Sequence, residues 1–236
     1  SNSFWPTKEF LFFHTIILYT IYSILASLLN SGMILEHISK HHDRVNLNID
    51  TERLGKEYLD FKYHLGFKTD NPANIDFNAI CINRIPGDER SITGGNVRGL
   101  YWTMPDTTNV EEQRLPFIEE SKYTEICPEF KGSYVEEVYD LIREHFNIGR
   151  IRFLMKPPRT CLSWHRDPEK RIHIPIITNK GNIMVIEDTA FHMPSDGAAY
   201  ITDNTKYHNF FNGSEVDRVH LVATVVKKDN DDKNIR

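Results

Sequence analysis

The chain has 236 residues, 40% of them hydrophobic and 26% charged, with a formal net charge of −5. These values fit one globular domain, or one domain with an appendage, long enough to bury its own core. They exclude a nucleic-acid footprint, because the balance is acidic and the basic residues form no stripe. Cys81, Cys127 and Cys161 are widely spaced and form neither a zinc pattern nor a disulfide framework, so a reducing, cytoplasmic setting is favoured for the folded part.

Residues 1–32 form a hydrophobic N-terminal segment. From Phe10 to Met33 the chain carries no formal charge and one histidine. At about 1.5 Å per residue such a run is long enough for a bilayer core, and it lacks the basic flank of a secretory signal. Three readings stay open. These are a membrane anchor through residues 10–31, an extension foreign to a native chain that begins at Met33, and a packed core helix. The oxygenase domain argued below is placed at residues 33–228, and the charged tail at residues 229–236.

Residues 34–50 are polar and rich in histidine. His37 and His41 are four apart, but no third ligand stands beside them, and the stretch reads as a solvated helix or loop. A helix is predicted from Asp50 to Phe61, capped by Asp50 or Thr51, with Leu54, Tyr58 and Phe61 on one face. Phe77 to Ile85 reads as a strand ended by Pro86-Gly87-Asp88. Thr93 to Asn96 reads as a turn, and Val97 to Thr103 as a second strand. Residues 104–131 carry three prolines and read as irregular with short helical pieces. Ser133 to Phe146 is a helix with a Ser133-x-x-Glu136 capping box.

From Gly149 the texture becomes β. Strands are predicted at Arg150–Met155, from Cys161 to His165, and at Arg171–Thr178, Ile183–Glu187, Ala198–Thr202, Tyr207–Phe211 and Arg218–Lys227. In the third of these, Arg171, His173 and Pro175 share one face, and Ile172, Ile174 and Ile176 the other. Many short strands separated by turns, preceded by helices, predict an α+β protein whose catalytic half is a jelly roll or barrel.

The chemistry gathers in that half. His165 and Asp167 are two apart and point the same way in a strand, and His208 lies forty-three residues on. Two imidazoles and one carboxylate are the ligand set of a non-haem Fe(II) oxygenase, which keeps open positions for O2 and a 2-oxoacid. His208 is expected from a distant strand across facing sheets. Arg218 opens the strand after an Asn212-Gly213 hairpin turn. Its planar fork suits the far carboxylate of 2-oxoglutarate.

His165-Arg166-Asp167, Arg171-Ile172-His173-Ile174-Pro175 with Thr178-Asn179, His208 and Arg218-Val219-His220-Leu221-Val222 together resemble a known family. It is the aspartyl/asparaginyl β-hydroxylase-like branch of the Fe(II)/2-oxoglutarate dioxygenases, which includes bacterial free-proline hydroxylases. The resemblance covers residues 150 to 226, taken as the metal-binding β core. It implies a double-stranded β-helix fold, with His165, Asp167 and His208 as iron ligands and Arg218 as the 2-oxoglutarate clamp. It also implies that Arg171 and His173 line the cosubstrate pocket. The animal members lack the acidic ligand, and Asp167 sets this chain closer to the bacterial small-molecule type or to phage and marine relatives.

Other residues have quieter readings. His192 and His220 read as structural, Tyr101 and Trp102 as packing, and Asn212-Gly213-Ser214 as turn chemistry rather than a glycosylation site. Trp164 is balanced between the substrate mouth and the core. The function that follows is hydroxylation of an amino-acid side chain, free or in a peptide, with Fe(II), 2-oxoglutarate and O2. The alternatives are a cupin-type metal enzyme that does not use 2-oxoglutarate, and a non-catalytic jelly-roll binding module. No residue names the substrate.

Overall fold

The computed structural model describes residues 34–65, 78–93 and 95–227. The hydrophobic segment before Ile34, the start of the strand read at Phe77 and the tail after Lys227 lie outside them. Among the described residues no helix is long and apolar enough to cross a membrane.

In chain order come β1 (Ile34–Ser39), β2 (His42–Asn46), α1 (Thr51–Leu65), β3 (Asn78–Cys81) and β4 (Asn83–Arg84). The one-turn helix α2 (Gly95–Arg98), β5 (Tyr101–Thr103), β6 (Glu112–Arg114), β7 (Glu125–Ile126) and α3 (Tyr134–His145) follow. The second half holds β8 (Ile148–Lys156), β9 (Thr160–Cys161), β10 (His165–Arg166), β11 (Arg171–Ile177) and β12 (Asn182–Ile186). It ends with β13 (Thr189–Phe191), β14 (Ala198–Thr202), β15 (His208–Asn212) and β16 (Arg218–Val225).

The major sheet has the order β1-β2-β14-β11-β16-β8-β3, and the minor sheet the order β13-β12-β15-β10-β5-β6 with β9 beside β15. The chain passes repeatedly from one sheet to the other, and all neighbours are antiparallel. This is a double-stranded β-helix with helices on one side, an α+β architecture.

The major sheet is buried on both faces for different reasons. Ile151, Phe153, Ile172, Ile174, Val219, Leu221 and Ala223 point outward and pack with Leu54 and Tyr58 of α1 and Val135, Val138 and Ile142 of α3. Each such apolar side chain contributes about 1.5–3 kcal/mol by leaving water. The inward face carries Arg152, Lys156, Arg171, His173, Arg218 and His220, all buried. Met184, Ile186, Met193, Tyr200 and Phe210 form a smaller apolar cluster at the other end.

Several expectations change. Residues 34–46 are a hairpin, not a solvated helix or loop, because β2 adds to the edge of β14. Val45, Leu47 and Ile49 alternate inward, a strand period hidden among polar residues. The strand predicted from Val97 begins only at Tyr101. Before it, the carbonyls of Asn96 and Val97 accept from the Arg150 guanidinium, and Val97 O also accepts from Arg152. Gly99 then turns the chain at φ +81, where a Cβ would collide with Arg150.

The capping box does not form. Ser133 Oγ donates to Phe130 O, and Glu136 accepts from Gly132 N. The first amides of α3 are instead taken by Glu57 of α1, at 3.0 Å from both Tyr134 N and Val135 N. The Asn212-Gly213 turn is a crossing between sheets rather than a hairpin. Asn212 is buried, with its side-chain amide donating to Lys156 O and Val216 O, which fits turn chemistry.

Candidate metal centre

β10 is only two residues long, yet it pairs on both edges, with β15 and with β5. Its first residue, His165, lies directly opposite His208 in register. The two imidazoles therefore come from neighbouring strands of one sheet, not from facing sheets, and their ring centroids are 4.3 Å apart. Asp167 follows the strand and is fixed by its backbone amide, which donates to Asn204 O at 2.8 Å.

Both histidines are oriented alike. His165 Nδ1 donates to Ser163 O at 2.6 Å and His208 Nδ1 to Lys206 O at 2.9 Å, each two residues back. A carbonyl only accepts, so Nδ1 holds the proton and Nε2 offers its lone pair to the interior. Asn204 Nδ2 donates to that lone pair of His208 at 2.9 Å. Asp167 Oδ2 is held by Arg171 through Nε at 3.1 Å and Nη2 at 3.0 Å, while Oδ1 faces His165 Nε2 at 3.9 Å. One potential ligand atom from each of His165, Asp167 and His208 lies within 4.8 Å of the others, a spacing that could hold a metal ion.

The charge states suit a cation. Burial pushes His208 down to about 4, against the pull of Asp167, so its imidazole is neutral at neutral pH. Burial alone would raise Asp167, but Arg171 and then the two histidines hold it below the usual carboxylate value. A neutral nitrogen donor on His208 beside an ionised carboxylate suits a divalent metal.

Arg218 stands on the opposite sheet. Its guanidinium lies 3.8 Å from the Phe210 ring centroid and against His220 Nδ1, and no carboxylate of the described residues pairs with it. His220 in turn lies 3.4 Å from His173, Nδ1 to Nδ1. Burial, with Arg218 as the next cause, pushes both imidazoles well below the ordinary histidine value. Arg218 Nε and the Nε2 atoms of His173 and His220 have no hydrogen-bond partner among the described residues. A buried cation set among neutral groups is a site for an anion.

His165, Asp167, Arg171, His173, His208 and Arg218 all line one cavity of about 140 Å³. Arg171 is also gripped by Asp167 and by Glu169 at 3.3 Å. Tyr101 lines the cavity too, its ring edge-on to His165 at 5.6 Å. His220 stands behind Arg218, and His192 bonds Asn182 O at 3.0 Å. Trp164 is 41% exposed and stacks on Tyr207, while Trp102 lies under the Arg166 guanidinium.

Sequence reasoning missed Arg98, Arg152, Lys156 and Asn204, which also line the cavity. Two had a signal. Arg152 and Lys156 fall on one phase of β8 with Leu154 between them, and Ile151, Phe153 and Met155 take the other, so the two charges share the inward face. Arg98 closes the one-turn helix α2 and Asn204 sits in a turn, and neither carries a periodic signal.

The fold is a double-stranded β-helix, and its two histidines and one carboxylate are spaced so that they could hold a metal ion. Residues 118–228, a little under half of the chain, match the family model described as aspartyl/asparaginyl beta-hydroxylase, so the resemblance seen in the motif holds over that range. Among solved structures, a Pseudomonas putida prolyl-4-hydroxylase matches at 8% identity over 80% of this chain and 94% of that one, with a TM-score of 0.42. A 2OG-Fe(II) oxygenase family oxidoreductase from Burkholderia pseudomallei matches at 12% identity over 84% and 86%, with a TM-score of 0.41. A cupin domain from Bordetella pertussis matches at 18% identity over 33% of this chain and 81% of that one, with a TM-score of 0.30. No curated protein matches the chain.

Proposed function

We propose that the chain is an Fe(II)- and 2-oxoglutarate-dependent dioxygenase that hydroxylates an amino-acid side chain, free or in a peptide. One observation carries this reading. A two-histidine, one-carboxylate donor set faces, across a single cavity, a buried Arg218 that has no acid beside it among the described residues. His165 Nε2, Asp167 Oδ1 and His208 Nε2 would hold the iron, the last in exchange for its hydrogen bond from Asn204. The ion, with 2-oxoglutarate and O2, supplies the oxidising power needed to hydroxylate an unactivated C–H bond as the cosubstrate becomes succinate and CO2.

The chain's own groups orient and exclude. Arg218 pairs with the far carboxylate of the cosubstrate through its fork. Neutral His173 and His220 keep that end free of competing charge. Arg171 holds one oxygen of Asp167, which presents the other to the metal. Phe210, Met184 and Leu162 keep bulk water from the cavity.

The test is optical. Under anaerobic conditions, Fe(II) with 2-oxoglutarate is expected to give a weak visible charge-transfer band. Arg218→Ala is expected to weaken 2-oxoglutarate binding by about 2–5 kcal/mol, roughly 30-fold or more, and to leave metal binding intact. Iron binding that 2-oxoglutarate never perturbs favours a metal enzyme that does not use it. Binding of neither favours a non-catalytic module.

A further inference from the structure

The cavity is unequal in charge. Arg98, Arg152, Lys156, Arg171 and Arg218 line it, and Asp167 is the single acid that does so among the described residues. On the oxygenase reading, on which this inference rests, Fe(II) and 2-oxoglutarate cancel one another, and Arg218 is taken by the cosubstrate. Arg171 is balanced by Asp167 and Glu169. Glu120, behind the wall, pairs with Arg150 and also acts on Arg152. Arg98 adds a further cation to the lining, and it makes no ion pair with an acid among the described residues.

Arg98 is the cation placed to meet a substrate. It is half-buried on the cavity wall, and its guanidinium lies 5.8 Å from the Tyr101 ring, which is itself edge-on to His165. It thus stands one aromatic ring away from the metal-binding groups. Its backbone is rigid, since Arg150 and Arg152 grip the carbonyls of Asn96 and Val97. Arg150 in turn is locked by Glu120, at 3.0 Å from Nε and 2.5 Å from Nη2.

A charged ammonium would find nothing comparable. Asp167 is engaged by Arg171 and by the metal site, and the other polar lining groups, such as Asn78, Ser163 and Asn204, are neutral. A free α-amine beside the reacting carbon would enter a positive field without a counter-ion, a repulsive selection against free amino acids.

We propose that the substrate is an organic carboxylate with no free ammonium group near its reacting carbon, such as an acylated or peptide-borne amino acid, and that Arg98 receives its carboxylate at the cavity wall. Arg98 is then a specificity-determining residue.

Calorimetry on the anaerobic protein, with Fe(II) and 2-oxoglutarate present, tests this. The probes are N-acetyl-L-aspartate, N-acetyl-L-glutamate and N-acetyl-L-proline, the three free amino acids, and the three N-acetyl amides in which the α-carboxylate is neutralised. At least one N-acetyl acid is expected to bind about tenfold or more tightly than its free amino acid and than its amide. Arg98→Gln is expected to remove that preference, and Arg98→Lys to retain part of it. Both variants should keep the charge-transfer band, which reports folding and cosubstrate binding. Absence of the preference in all three series, whether the probes bind equally or none binds, overturns the proposal, as does a preference that survives Arg98→Gln. The band separates the two readings. Its loss in the unmutated protein sinks the oxygenase reading, whereas an intact band without acid preference sinks only this one.

Discussion

The two faces of the major sheet are built from the same three strands and do opposite things. The outward face of β8, β11 and β16 is uniformly apolar and meets two helices. The inward face, one residue out of phase, is basic and meets the cavity. Outward residues lower the free energy of the fold. Of the inward residues Arg218 raises it, because a buried guanidinium without an acid beside it among the described residues costs several kcal/mol. The comparison teaches that the apolar outward face offsets the cost of burying Arg218 on the inward one.

The sharpest way to break the contrast is to empty the outward face. Phe153 is fully buried and packs tilted on Tyr58 at 5.2 Å. Phe153→Ala is expected to cost about 3–5 kcal/mol in chemical denaturation. A smaller effect of opposite sign is expected inside. Arg218→Met keeps the volume and removes the charge, and should raise unfolding free energy by about 1–4 kcal/mol while 2-oxoglutarate binding is lost. A fall in stability with that variant would show that Arg218 is compensated in the free protein, and the contrast between the faces would fail.

An effect that changes with pH concerns Glu120, which links the basic face to the segment bearing Arg98. Burial would raise its carboxyl, but Arg150, by charge and hydrogen bonds, holds it below the ordinary value of 4.5. Its folded-state value is therefore depressed, so its contribution to stability is full above about 4.5 and is lost as the pH falls through the lower folded value. Glu120→Gln should be less stable than the unmutated protein at neutral pH. The gap should narrow on acidification below 4.5, as read from denaturation midpoints against pH. A gap that stays constant would remove Glu120 from this role.

The legible parts of the chain were those with a period or an ordered motif. Ile172, Ile174 and Ile176 alternating with Arg171 and His173 placed β11, and Leu54 with Tyr58 placed α1. The six site residues read from the sequence line one cavity. The neighbour relation of His165 and His208 was not legible, because β10 is too short to show an alternation and its pairing is set by partners far along the chain. The hairpin at 34–46 was masked by its histidines. The false capping box shows a local motif overridden by tertiary contact, since Glu57 reaches the same amides from another helix. Arg98 was not legible as a lining residue because the carbonyl before it is held by Arg150 and Arg152, more than fifty residues away.

One contact has a mechanical meaning. Arg171 belongs to the major sheet, while Asp167 extends from a strand of the minor sheet, and their ion pair spans the gap between them. The carboxylate is thus anchored to one wall by its backbone and to the other by its side chain. Arg171 thereby sets, from the wall opposite β10, which carboxylate oxygen faces His165.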